Sequence, residues 1–176
     1  MGPNDIPPSS FHSFEQAMQS LSQRLSSRGL MRESVVARLL QHVALRLGED
    51  MDAPFKAHGL NTTLWTSMLV IYAAQGHRLK PSELSVFMNS SRTNSTRVAR
   101  ELGRHGFVRR VADESDGRQR FLQLTEKGVD FVQQQLPGRR RHVREVFDGF
   151  EPQEFTELER LLRKLLGTLD KRAAAR

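Results

Sequence analysis

The sequence predicts a mainly α-helical fold with one small β-hairpin, and three observations carry that expectation. Apolar residues recur at helical spacing through most of the 176-residue chain. One stretch, FVRRVADESDGRQRFLQLT, instead alternates at strand spacing around an Asp-Gly turn. Just before it, two short helical segments flank the tripeptide NSS. At this length one domain is expected, or one compact unit with an added interface element.

Residues 1–10 are rich in Pro, Ser and Gly and are expected to be disordered. Phe14, Met18, Leu21 and Leu25 then mark one face of a short amphipathic helix. A longer helix from about Glu33 carries Val36, Leu40, Val43 and Leu47 on one stripe and should end or kink near Pro54. NTTLWTSMLVIYAAQG reads as a third helix, apolar on most sides and therefore buried. PSELSVFM and SRTNSTRVARELGRHG follow as two helices joined by the three-residue turn, the second closed by Gly106; this is the helix-turn-helix pattern. After the hairpin, Thr125 is placed to cap a helix running to about Phe147, interrupted at Pro137-Gly138. In the last helix Phe155, Leu158, Leu161, Leu162, Leu165, Leu166 and Leu169 keep the helical rhythm. That face is too wide for one neighbour; it reads as a dimer interface shared with the N-terminal helices, ordinary core being the plainer reading.

Composition narrows the function. Twenty-seven Lys and Arg face twenty Asp and Glu, a net charge of +7 that favours a polyanionic partner. The absence of cysteine removes disulfides, thiolate metal sites and a catalytic thiol. No apolar run approaches a membrane span, and MGPNDIPPSS lacks the parts of a secretory signal, so a soluble cytoplasmic protein without membrane contact is expected. Neither a G-x-S-x-G elbow, a phosphate-binding loop nor an H-E-x-x-H motif occurs, and the six histidines are scattered. The expectation is no catalytic residue, no metal and no cofactor.

Between Arg78 and Arg120 stand ten Lys and Arg residues and five acids, +5 of the net charge. On a helical wheel of the second short helix Ser91, Ser95, Val98 and Leu102 share one side, leaving Thr93, Thr96, Arg97, Arg100 and Arg104 on the other, where every outward position reads as a cation or a hydroxyl with no balancing acid. Such a face suits the major groove, which admits one helix and whose base edges are read by Arg, Asn, Thr and Ser near its N-terminus. Arg92, Thr93, Thr96 and Arg97 are placed nearest the bases and Arg100 and Arg104 on phosphates, with Ser91 and Asn94 also counted among the DNA-binding residues. Arg118 and Arg120, with Asp116 steering Arg118, sit at a hairpin beside that groove, where they reach the next minor groove or its phosphates. The bland readings are a solvated basic helix and a charged tip that guards an edge strand.

DESDGRQRFLQLTEKG resembles the wing of the MarR family of winged helix-turn-helix regulators, with its D-x-R and L-x-L-T-x-x-G at Asp116, Arg118, Leu122, Leu124, Thr125 and Gly128. KPSELSVFMNSSRTNSTRVARELGRHGFVRR resembles that family's helix-turn-helix, most closely in its multidrug-efflux-repressor branch. Gly117 departs from the pattern, where members often carry a basic residue. The likeness spans residues 33–170 and implies a winged helix-turn-helix domain over 62–124 and a helical dimerisation region over 11–61 and 125–172. It implies a homodimeric repressor of a pseudo-palindromic double-stranded operator, released by a small aromatic carboxylate or phenol. On the long helix Arg46 interrupts an otherwise apolar arc one turn after His42, and Trp65, Met68 and Tyr72 are available as apolar walls, so these five form the candidate effector site. A snorkelling arginine and an edge histidine are the plainer reading, and a winged-helix protein adaptor without ligand response is the alternative function.

Overall fold

The computed structural model describes residues 10–25, 30–112 and 120–176. They fall into two compact units, residues 1–125 and 126–176. The first begins with α1 (His12–Leu25) and α2 (Leu30–Asp52), followed by a 3-10 turn (Ala53–His58) and α3 (Thr62–Ala73). Then come β1 (Arg78–Leu79), α4 (Pro81–Phe87), α5 (Arg92–Arg104), β2 (Val108–Ala112) and β3 (Arg120–Leu124). The second unit holds α6 (Glu126–Val146) and α7 (Pro152–Ala174).

Helix α2 stops where Pro54 enters, because proline supplies no backbone donor and suits the first turn of the segment that follows. The next helix is nucleated by two acceptors: the Asn61 side chain takes the Leu64 amide at 2.9 Å, and the Asp52 carboxylate takes that of Thr62 at 2.6 Å. It then buries Leu64, Trp65, Met68 and Ile71, with Trp65 stacked on Phe55 at 5.2 Å between centroids. Leu84 from α4, Val98 and Leu102 from α5 and Leu122 from β3 complete this core at no more than 2% exposure. Each such side chain contributes roughly 1.5–3 kcal/mol by leaving water.

The sheet is antiparallel in the order β1-β3-β2, so the predicted hairpin gains a third strand. Arg78 pairs with Gln123 and Leu79 with Leu122. Two residues are too few for a period-two signal, which is why the sequence reading missed them.

One further expectation is corrected. α6 is continuous through Pro137 rather than interrupted there. Helical residues on both sides carry it past the lost backbone bond, a cost of about 3 kcal/mol in a helix interior. Thr125, placed before α6, donates its hydroxyl to the Gly106 carbonyl at 2.7 Å and lies 3.3 Å from that of Phe107. Of the segment expected to be disordered, Ser10 is described, with its hydroxyl 2.7 Å from His42 Nε2. Residues 1–9 lie outside the described residues.

In the second unit α7 starts on a capping box, the Glu154 carboxylate accepting from the Glu151 amide at 3.0 Å. Arg160 grips Glu157 through two bonds of 2.7 Å, and this guanidinium holds the Glu157 carboxyl below the usual range. None of its residues is buried within the chain. Phe147, Phe155, Leu158, Leu162 and Leu166 line an apolar groove of about 290 Å³ in this unit. No described helix is long and apolar enough to cross a membrane.

Candidate nucleic-acid interface

The turn between α4 and α5 is built by local chemistry. Asn89 takes the left-handed conformation, φ 44°, which asparagine tolerates better than most side chains, and Ser90 N–H returns to the Ser85 carbonyl at 3.0 Å. Ser91 then caps α5, its hydroxyl accepting from the Asn94 amide at 3.2 Å. The sequence reading grouped Ser91 with the inward residues; as the cap it is exposed, because a capping residue stands outside the helical path. Ser95, Val98, Ala99 and Leu102 are the residues that α5 buries.

The opposite face presents Arg92, Thr93, Thr96, Arg97, Arg100 and Arg104, all exposed, with Asn94 partly so. It is not free of acids, contrary to expectation. Arg97 donates from one nitrogen to the Glu101 carboxylate and from the other to the Asn94 side-chain oxygen, both at 3.1 Å. The signal was available in the sequence, since a residue four positions on lies one turn above on the same face, within reach of a long guanidinium. Thr96 spends its hydroxyl proton on the Arg92 carbonyl at 2.9 Å, leaving its oxygen as an acceptor.

Alongside runs a groove of about 340 Å³ between α5 and the sheet, lined by Thr96, Arg100, Arg109, Arg110 and Leu122 among others. Arg109 and Arg110 went unassigned in the sequence reading, although their place in a strand next to a basic helix was the available signal. Arg109 is braced by Gln123 at 3.1 Å across the β2–β3 ladder. Arg120 is exposed at the start of β3. Asp116 and Arg118 lie outside the described residues. At the other sheet edge Arg78 and Lys80 sit over the Phe121 ring, 5.1 and 5.8 Å from its centroid, a cation–π arrangement also missed.

Of the five candidate effector residues, His42 and Arg46 lie on α2 and Trp65, Met68 and Tyr72 on α3. Trp65 and Met68 are 2% and 0% exposed, buried by the same apolar period that marked them as candidate walls. Tyr72 stacks on His77 at 4.7 Å. Arg46 pairs with Glu49 at 2.9 Å and keeps 65% of its side chain in water, so its polar head is met by a neighbour and solvent. His42 meets Ser10 and the Phe11 ring.

A helix-turn-helix with a three-stranded wing and a cationic outward helix face defines a protein of the winged-helix regulator class. Comparison with known proteins gives the family. The MarR family model matches residues 60–119. The chain is 37% identical over 138 residues to the transcriptional repressor MprA of Escherichia coli K12, covering 78% of each chain. Among solved structures it is similar to Sco3205, a MarR family regulator from Streptomyces coelicolor in complex with DNA, at 25% identity and a TM-score of 0.72, over 78% of this chain and 87% of that one. AbsC from the same organism matches with a TM-score of 0.72 at 24% identity, over 79% and 95%. The chain belongs to the MarR family, and it is a transcriptional regulator rather than an enzyme.

Proposed function

We propose that this protein is a cytoplasmic repressor that binds a pseudo-palindromic operator as a homodimer, with residues 62–124 as the DNA-binding domain and 11–61 with 125–172 forming the dimer. The observation that carries the reading is the exposed face of α5, where Arg92, Thr93, Asn94, Thr96 and Arg97 stand at the helix end that a major groove receives. Arg100 and Arg104 follow toward the phosphates, and the groove beside Arg100, Arg109 and Arg110 offers a cationic seat for the backbone. MprA, named as a transcriptional repressor, supports the direction of control.

Homodimerisation is supported by apolar side chains left in water on both regions assigned to it. Val36, Leu39, Val43 and Leu45 on α2 are 39–61% exposed, and Leu161, Leu162, Leu165, Leu166 and Leu169 on α7 are 41–57% exposed. Covering such stripes with a second copy removes them from water. Two copies present two recognition helices, and two half-sites one helical turn apart are the geometry this serves.

Release by a small aromatic carboxylate or phenol rests on the family resemblance and on the exposed guanidinium of Arg46, which can exchange Glu49 for a ligand carboxylate. The aromatic ring would reach Trp65 or Met68 only through an opening of the core. The deciding experiment is anisotropy binding of the full chain to duplexes from the DNA upstream of its own gene, across a salt series and with added benzoate or phenol. Saturable binding that prefers one duplex over scrambled DNA supports the regulator. Equal affinity for both overturns sequence-specific binding, and an operator affinity indifferent to both additives overturns the effector alone.

A further inference from the structure

The two most exposed large hydrophobic side chains among the described residues are on neither α2 nor α7. They are Val86 and Phe87, 78% and 68% exposed, in the last turn of α4. The core contact of that helix is made by Leu84, which is fully buried, so neither side chain is spare core. Only the turn Met88–Asn89–Ser90–Ser91 separates Phe87 from Arg92 and Thr93 at the start of α5. The Met88 amide bond to Leu84 at 2.9 Å and the Ser90 bond to Ser85 at 3.0 Å keep that turn tight.

Size decides between occupants. A stable protein partner needs roughly 800 Å² on each side. This patch holds two large exposed apolar side chains, with Ser85 and the half-buried Met88 next to them in sequence and the polar Ser82, Glu83 and Asn89 within one turn. A thymine C5-methyl group needs one apolar side chain at the major-groove edge, and thymine alone offers such a group there. Glu83, one turn before Phe87, does not stand against this, because its carboxylate is engaged by the Lys80 amide at 2.7 Å.

We propose that Val86 and Phe87 read thymine methyl groups flanking the bases met by Arg92 and Thr93. This inference rests on the DNA-binding reading above and adds an apolar element to its specificity. The contact displaces water from both the methyl and the side chain, so its free energy comes from apolar burial. It is therefore insensitive to salt, unlike the arginine contacts around it.

The test uses the full-length protein and a duplex that it selects from random DNA. Each thymidine of that duplex is replaced in turn by deoxyuridine, which removes one methyl and leaves every hydrogen-bonding group in place. At one or two positions wild-type affinity should fall about three- to fivefold, the worth of one buried methyl. Phe87→Ala or Val86→Ala should bind the thymidine duplex that much more weakly and show no further loss with deoxyuridine at the same position. A wild type indifferent to every methyl, or variants that keep its full methyl dependence, overturns the inference while sequence-selective binding stands. Failure to enrich any duplex overturns the DNA-binding reading itself.

Discussion

Arg97 and Glu101 are joined by a 3.1 Å bond one helical turn apart on α5, and Asn94 holds the other end of the same guanidinium at 3.1 Å. As an exposed pair it adds only a few tenths of a kcal/mol to stability. Its larger effect is on orientation, since an arginine reads guanine through two parallel bonds and a fixed fork makes fewer wrong approaches. Glu101→Ala should therefore lower the preference for operator over random DNA about five- to tenfold, the low end of the range of one base contact. Random-DNA affinity should rise slightly, because an acid beside phosphates is gone. Competition binding reads both, and an unchanged preference would show that the pairing has no part in recognition.

Removing the cation itself separates two roles. Arg97→Ala should cost roughly 1–3 kcal/mol on the operator and little on random DNA. Arg100→Ala should weaken both alike and flatten the dependence of log affinity on log salt by about one unit. Titrations between low and moderate salt distinguish them; equal behaviour of the two variants would refute the division into base and phosphate contacts.

Arg118→Ala is expected to weaken operator binding and shorten the protected region at its outer edges. Footprinting checks it. Protection as long as that of the wild type would return the hairpin charges to guarding a strand edge.

If the exposed stripe of α7 forms the proposed dimer interface, Leu162→Asp together with Leu166→Asp should abolish the dimer, since two carboxylates would be forced into an apolar contact. Light scattering at several concentrations gives the answer. A folded dimer of this variant would move the interface elsewhere.

Arg46 and Trp65, paired in the sequence reading, should behave oppositely. Arg46→Ala ought to leave stability within about 0.5 kcal/mol, because its partner Glu49 is exposed too. It should keep DNA binding and lose sensitivity to an aromatic acid. Trp65→Ala should destabilise the fold by roughly 3–5 kcal/mol through loss of its stack on Phe55. Denaturant unfolding measures both, and a tolerant Trp65→Ala would place that ring in an adaptable pocket after all.

Most of the fold was legible because the residues that report it are the ones that bury it. Val98 and Leu102, four residues apart on α5, are 2% and 0% exposed. The turn and caps were legible for the same local reason, as Ser91 does what a serine before a helix does. β1 was not, being two residues long and defined by its partner strand alone. The helix through Pro137 was not legible, because the low helix propensity of proline is overridden there by the long helical stretches around it. In the site, residue type and face were readable, whereas the Arg97–Glu101 bond depends on side-chain reach. At Trp65 and Met68 apolar spacing marked burial, and spacing is silent on whether a cavity adjoins.

The hydroxyl of Thr125 reaches the Gly106 carbonyl at 2.7 Å, and its amide reaches Phe107 at 3.0 Å. These bonds join the end of β3 to the bend that follows α5, where Gly106 adopts φ 74°. The angle between recognition helix and wing is thereby fixed during folding, so the entropy of aligning them is lost before any DNA is met. Association then proceeds as the docking of a preformed body, and Thr125→Val, which keeps the shape and deletes the hydroxyl, should act on the rate of productive encounter more than on the lifetime of the complex once formed.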